Sequence, residues 1–305
     1  MHNHVVWPMA IVIYLFLAGI AGGAFYSGAL AEFYSGGKYR RLSKWGTYLA
    51  LPLILIGVIM LIFDLGRSPY FWHIILKDNF TPLVVWSSTM SVGTWFLTIF
   101  GVLSFIILLF WLSEEERTKD WPIINRFKGK DSVRKFLTFI NMIVGMLVAA
   151  YTGILLASTS VPMWHATPFL GLLFACSATS TGLAALMLCH KAANDPDEEM
   201  LHLLGKADMD VIFLELAAFA LLLIGLGAFA PELGLKALIT GPYGIAFWVG
   251  IVICGLIFPL AIEIYVNKFP TLTLGLTTLA AVLVLVGGFL VRYVIIYAGQ
   301  IAWKA

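Results

Sequence analysis

Residues 7–25, WPMAIVIYLFLAGIAGGAF, run without one charged side chain. An α-helix rises 1.5 Å per residue, and the hydrocarbon of a bilayer is about 30 Å thick, so roughly 20 apolar residues cross it. With the next turn added, this stretch reaches that length. The N-terminus carries no basic segment and its apolar run is longer than a signal peptide's core, so it is expected to be retained as a first membrane span.

The same window applied outward gives eight expected spans, approximately 8–31, 46–64, 84–112, 135–158, 168–190, 209–230, 243–265 and 271–298. Composition agrees: 61% of the 305 residues are hydrophobic and 12% charged, against roughly 45–50% apolar content in soluble domains. The chain reads as one all-α integral membrane domain, 1–305, with eight transmembrane helices.

Loop charge sets the expected orientation. Fourteen of the 19 Lys and Arg residues lie in the first, third, fifth and seventh connections, and four on the side that bears both termini. By the positive-inside rule both termini face outward, on the non-cytoplasmic side of the membrane. The net charge of +2 shows no basic stripe interleaved with aromatics, so nucleic-acid binding is excluded.

Redox centres have little to hold them. Cys176, Cys189 and Cys254 sit in apolar stretches without C-x-x-C spacing, and all six histidines fall at helix ends or in loops. Facing histidines inside the spans are what a bis-histidine haem needs. No metal site, haem or iron–sulfur cluster is expected in this chain.

Charges within spans are costly and default to functional candidates. Here they are Asp64, Asp210, Glu215 and Arg292; Glu32 and Glu263 lie near the basic-side ends of their helices, where headgroup solvation explains them. At 1.5 Å per residue, Tyr14, Tyr151 and Arg292 each lie about 9–10 Å below the outer surface, and Asp64 at the outer end of the second span. Above this layer the second and fourth connections carry Arg67, His73 and His165. Donors, an acid and phenols at one depth suit a quinone headgroup, with hydrogen bonds to two carbonyl oxygens and a group that exchanges protons. Tyrosines also anchor helices at interfaces, and an Asp–Arg pair can be a plain clamp. Asp210 and Glu215, with Ser177, Thr179, Ser180 and Thr181, could line a proton path from the cytoplasmic side, or simply hydrogen-bond within the bundle. An ion-coupled secondary transporter is the alternative class, although transporters gather their charges near the midplane. A membrane anchor without redox function leaves the polar layer unexplained.

Five stretches in order, WPMAIVIYLFLAGIAGG (7–23), LIFDLGRSPYFWHII (61–75), YTGILLA (151–157), MDVIFLE (209–215) and RYVIIYAGQ (292–300), make the chain resemble the NrfD/PsrC family of haem-free, quinone-interacting membrane subunits. The resemblance implies two four-helix bundles and a site near the periplasmic face for menaquinone or ubiquinone. It also implies a ferredoxin-like four-cluster iron–sulfur partner on that face, carrying [4Fe-4S] clusters, and a catalytic molybdopterin or multihaem cytochrome subunit beyond it. Tyr151 matches the tyrosine that bonds the quinone headgroup and Tyr14 a first-helix position beside it. Asp64 matches a proton acceptor, His73 a histidine found in some members. Arg67 and Arg292 are expected to hold Asp64 ionised and favour negative charge on the bound headgroup.

Overall fold

The computed structural model describes residues 7–64, 70, 72–73, 75–76, 85–86, 88–118, 121–193, 197–268 and 273–304. Eight helices long and apolar enough to cross a membrane follow in chain order: α1 (Met9–Tyr34), α2 (Arg40–Asp64), α3 (Thr89–Leu112), α4 (Asp131–Ala157), α5 (Phe169–Ala192), α6 (Glu198–Phe229), α7 (Ala246–Lys268) and α8 (Thr273–Lys304). Caps mark several ends that hydropathy does not see. Ser88 accepts from the Ser91 N–H at the start of α3, and Asp197 accepts from the Glu199 N–H at the start of α6. The second of these lets α6 begin at Glu198, well before the expected 209, so Asp208 and Asp210 lie within the helix.

The two ends of the described chain share one face. Trp7 N–H donates to Gln300 Oε1 at 3.0 Å, and Gln300 Nε2 donates to Trp7 O at 3.1 Å. We call this the terminal face, and the other the basic face.

Helix α1 is the most buried span and packs on α2, α4, α5 and α8. Small residues allow that. A Cβ on Gly23 would fall 1.9 Å from Ala178 O of α5, so the two backbones are in direct contact. Gly19, one turn nearer the terminal face, has a different use: a Cβ there would lie 2.8 Å from Arg292 Nη2, so its missing side chain makes room for a guanidinium.

The expected headgroup solvation of Glu32 is corrected by the fold. Arg134 donates from Nη2 and Nη1 to the two Glu32 oxygens at 2.5 and 3.1 Å, with both side chains 1% exposed. The same guanidinium lies 4.1 Å over the Trp111 ring and bonds Asp131. A carboxylate this deeply buried needs such a partner, and Arg134 is too far along the sequence for local pattern to reveal it. Glu263 is likewise buried, at 3% exposure.

Helix α7 is π-helical over Ala246–Ile257. The wider coil sets Gly255 against Gly287 of α8, each Cα within 2.7 Å of where the other's Cβ would stand. Such π segments in helices are rare and frequently adjoin functional sites.

Candidate functional site

Helices α1 to α4 enclose a cavity of about 260 Å³ at the terminal face. Most of its wall is apolar, from Ile11, Leu61, Met90, Leu97 and Leu155, with Trp7 and Pro8 just ahead of α1. Among the described residues its polar groups are Tyr14, Asp64, Thr94 and Tyr151. Thr94 uses its hydroxyl on the Met90 carbonyl at 2.8 Å, which leaves the two phenols and the carboxyl to meet a ligand.

Each of those three is positioned by its helix. Tyr14 stands in the second turn of α1, 1% exposed, and a Cβ on Gly57 of α2 would lie 3.5 Å from its ring. Tyr151, 5% exposed, projects from α4 against the bare backbone of Gly93 and meets Phe96 edge-on with ring centroids 6.5 Å apart. Asp64 is the last residue of α2 and is exposed at the rim. An apolar cleft with a few convergent polar groups is the usual form of a small-molecule site.

The other expected site residues fall elsewhere. His73 stacks on Trp72 with centroids 3.7 Å apart and is not part of the cavity wall. Arg67 lies outside the described residues. His165 bonds its own loop, Nδ1 lying 3.0 Å from Ala157 O.

Arg292 is corrected. It belongs to α8, which gives no described residue to the cavity wall, and its guanidinium is fully buried at the level of Gly19, about 7.5 Å deeper along α1 than Tyr14. Nη1 donates to Ser177 Oγ at 2.8 Å and to Gly288 O at 2.7 Å, while the guanidinium lies between the rings of Phe16 and Phe174, at 5.9 and 5.4 Å. Glu215 of α6 is its electrostatic partner and adjoins the same Ser177 hydroxyl.

Asp210 also departs from expectation, because it is exposed on the surface of α6. Two residues turn a helix by about 200°, so Asp208 rather than Asp210 shares the inward face with Glu215 seven positions on. Asp208 is fully buried and accepts from Ser180 Oγ at 2.6 Å. The i, i+7 spacing of Asp208 and Glu215 was the signal in the sequence that could have found it. Nothing in the sequence pointed to Gly93, whose role is visible only once α3 and α4 are packed.

Among the described residues no group of three or more His, Cys, Asp or Glu is arranged to hold a metal ion. The cavity's donor set, two phenols and a carboxyl in an apolar wall, fits an uncharged ring with two oxygen acceptors.

Comparison with known proteins agrees with the fold. The family described as polysulphide reductase, NrfD, matches residues 1–303. A protein NrfD homolog of Haemophilus influenzae is 30% identical over 98% of this chain and 95% of its own length. The C subunit of polysulfide reductase from Wolinella succinogenes is also 30% identical, over 98% of this chain and 96% of its own length. Protein NrfD of Escherichia coli is 26% identical over 97% and 95%. The chain belongs to the NrfD family of polysulphide reductase membrane proteins.

Proposed function

We propose, from membership of that family and from the cavity that α1 to α4 enclose, that this chain is the quinol-binding membrane subunit of a respiratory reductase complex. In this reading the terminal face looks to the periplasm from a prokaryotic inner membrane, which the excess of cations on the opposite loops supports. The eight spans then form two four-helix bundles, the first of them holding the site.

The substrate is menaquinol or ubiquinol, with its ring in the cavity. Tyr14 and Tyr151 hold its two oxygens by hydrogen bonds from phenols that burial keeps dry, where each bond is stronger than in water. Asp64, at the wetter rim, accepts the protons released as the ring is oxidised and hands them to solvent. His73 and Arg67, in the connection that follows, assist that exit. Arg292 acts from one layer deeper, by charge and not by contact. Electrons pass to a ferredoxin-like iron–sulfur subunit on the periplasmic face and on to a molybdopterin or multihaem catalytic subunit. One relative is by name a subunit of a polysulfide reductase, which supports such a catalytic partner.

A proton path along α6 is the second part of the reading, with Glu215, Ser177 and Ser180 inside and Asp210 at the surface. Proteoliposomes holding the complex would take up protons from the cytoplasmic side during turnover; a lack of uptake removes this part.

The observation that carries the proposal is the convergence of Tyr14, Asp64 and Tyr151 on one cavity. Asp64→Ala and Tyr151→Phe are expected to cut quinol-dependent turnover strongly in a complex that still assembles. Unchanged turnover in both variants would sink the assignment.

A further inference from the structure

Away from the terminal-face cavity, α6 and α7 bury two carboxyls against one another. Asp208 is 0% exposed and Glu263 3% exposed, and the two side chains lie within hydrogen-bonding reach of each other. Ser180 satisfies Asp208 Oδ1 at 2.6 Å. Asp208 Oδ2 and both oxygens of Glu263 are buried and have no donor among the described residues. No lysine or arginine among the described residues forms an ion pair with either acid.

That arrangement is not stable as two carboxylates. An ionised carboxyl only accepts hydrogen bonds, so two of them face to face satisfy nothing, and like charges this close in a dry site repel strongly. One hydrogen between them turns the contact into an O–H···O bond and removes one of the two charges.

The supply route adjoins the pair. A cavity of about 20 Å³ is bounded by Glu263, His202, Lys206, Asn267 and Thr277, next to the capped start of α6 at the basic face. That is room for about one water molecule, in a lining that is mostly apolar, with Leu201, Gly205 and Val266 beside the polar residues. From the other side of the pair, Ser180 stands one helical turn from Ser177, which joins Glu215 and Arg292. Two nitrogens of Arg292, Nε and Nη2, are buried without an acceptor among the described residues. Polar groups thus continue from the basic face to the level of Gly19. The phenol of Tyr14 lies about 7.5 Å further out along α1, beyond four apolar residues.

We infer that Asp208 and Glu263 form a proton-sharing carboxyl pair, loaded from water at the basic face through the single-water cavity beside Glu263. The pair is the inner terminal of the polar seam and not a component of the terminal-face cavity. Asp210, exposed on the same helix, takes no part in it. The inference extends the proton-path half of the proposed function and relies on it for the direction of loading; its test needs no quinol turnover, so either can fail alone.

Infrared spectroscopy of the full chain in lipid nanodiscs reads this directly. The wild-type protein should show the carbonyl stretch of a protonated carboxyl, shifted in D2O. The band should be lost from the difference spectrum of Asp208→Asn/Glu263→Gln and kept in Asp210→Asn. A double variant with an unchanged band overturns the pair, a band that ignores D2O overturns its contact with water, and a band abolished by sodium ions at constant pH means a bound cation instead. Should the double variant not fold, dicyclohexylcarbodiimide, which captures protonated carboxyls in apolar surroundings, serves on the wild-type chain. An adduct at Asp208 or Glu263 by mass spectrometry supports the inference, and none at either overturns it.

Discussion

Tyr151 stands so close to Gly93 that a Cβ on the glycine would fall 1.7 Å from Tyr151 Cζ and 2.1 Å from its hydroxyl oxygen. The hydroxyl offered to the cavity by α4 is therefore placed by a missing side chain on α3. Gly93→Ala should displace the ring while leaving α3 helical, since alanine is the better helix former. With one ligand hydrogen bond lost, worth about 1–3 kcal/mol when a partner is left unmet, quinol-dependent turnover is expected to fall roughly tenfold or more. Wild-type turnover with normal protein yield would show that Tyr151 is not needed where it stands.

Tyr14→Phe separates packing from chemistry. The ring is 1% exposed and stays filled by phenylalanine, so the thermal unfolding midpoint in detergent should hardly change. Only the hydroxyl leaves, and the Michaelis constant for quinol should rise severalfold. A large drop in the midpoint with unaltered kinetics would make Tyr14 a packing residue.

The Glu32–Arg134 pair ties α1 to α4 at the basic face. Arg134→Met alone strands a buried carboxylate and should destabilise by about 3–5 kcal/mol. Glu32→Gln/Arg134→Met removes both charges and should recover much of that loss. The check is the thermal midpoint of the three proteins, and a double variant no better than the single one contradicts the pairing argument.

Acid sensitivity has a surface component at Glu115, in the third connection. The hydrogen bond from Lys44, with help from the Tyr48 hydroxyl, holds its carboxyl below the ordinary glutamate value despite some burial. A depressed value in the folded state stabilises above the unfolded value and is lost as pH falls through the folded one. Glu115→Gln should therefore cost stability at neutral pH and nothing at pH well under about 4.3. The side chain is 41% exposed, so solvent screening keeps the effect at or under about 1 kcal/mol. Equal destabilisation at both pH values would rule out the ion pair as its source.

Span number and depth were legible because the bilayer imposes a length on every helix and the helix has a fixed rise. That reasoning brought Tyr14, Asp64 and Tyr151 to one level, and they share one cavity. Depth says nothing about azimuth. The side chain of Arg292 runs inward from its place on α8 to Ser177 and Gly19, and Asp210 has the helix but not the inward face that Asp208 occupies. Partners distant in sequence were out of reach as well, as with Glu32 and Arg134, or Tyr151 and Gly93. Each of those contacts exists only after packing.

Whether the cavity of α1 to α4 receives a quinone ring can be read with a photoreactive azidoquinone. Irradiation of the assembled complex, followed by peptide mapping, should label segments bearing Tyr14, Leu61, Met90 or Tyr151, with labelling suppressed by excess quinone. Labelling confined to other helices, or undiminished by excess quinone, would contradict it.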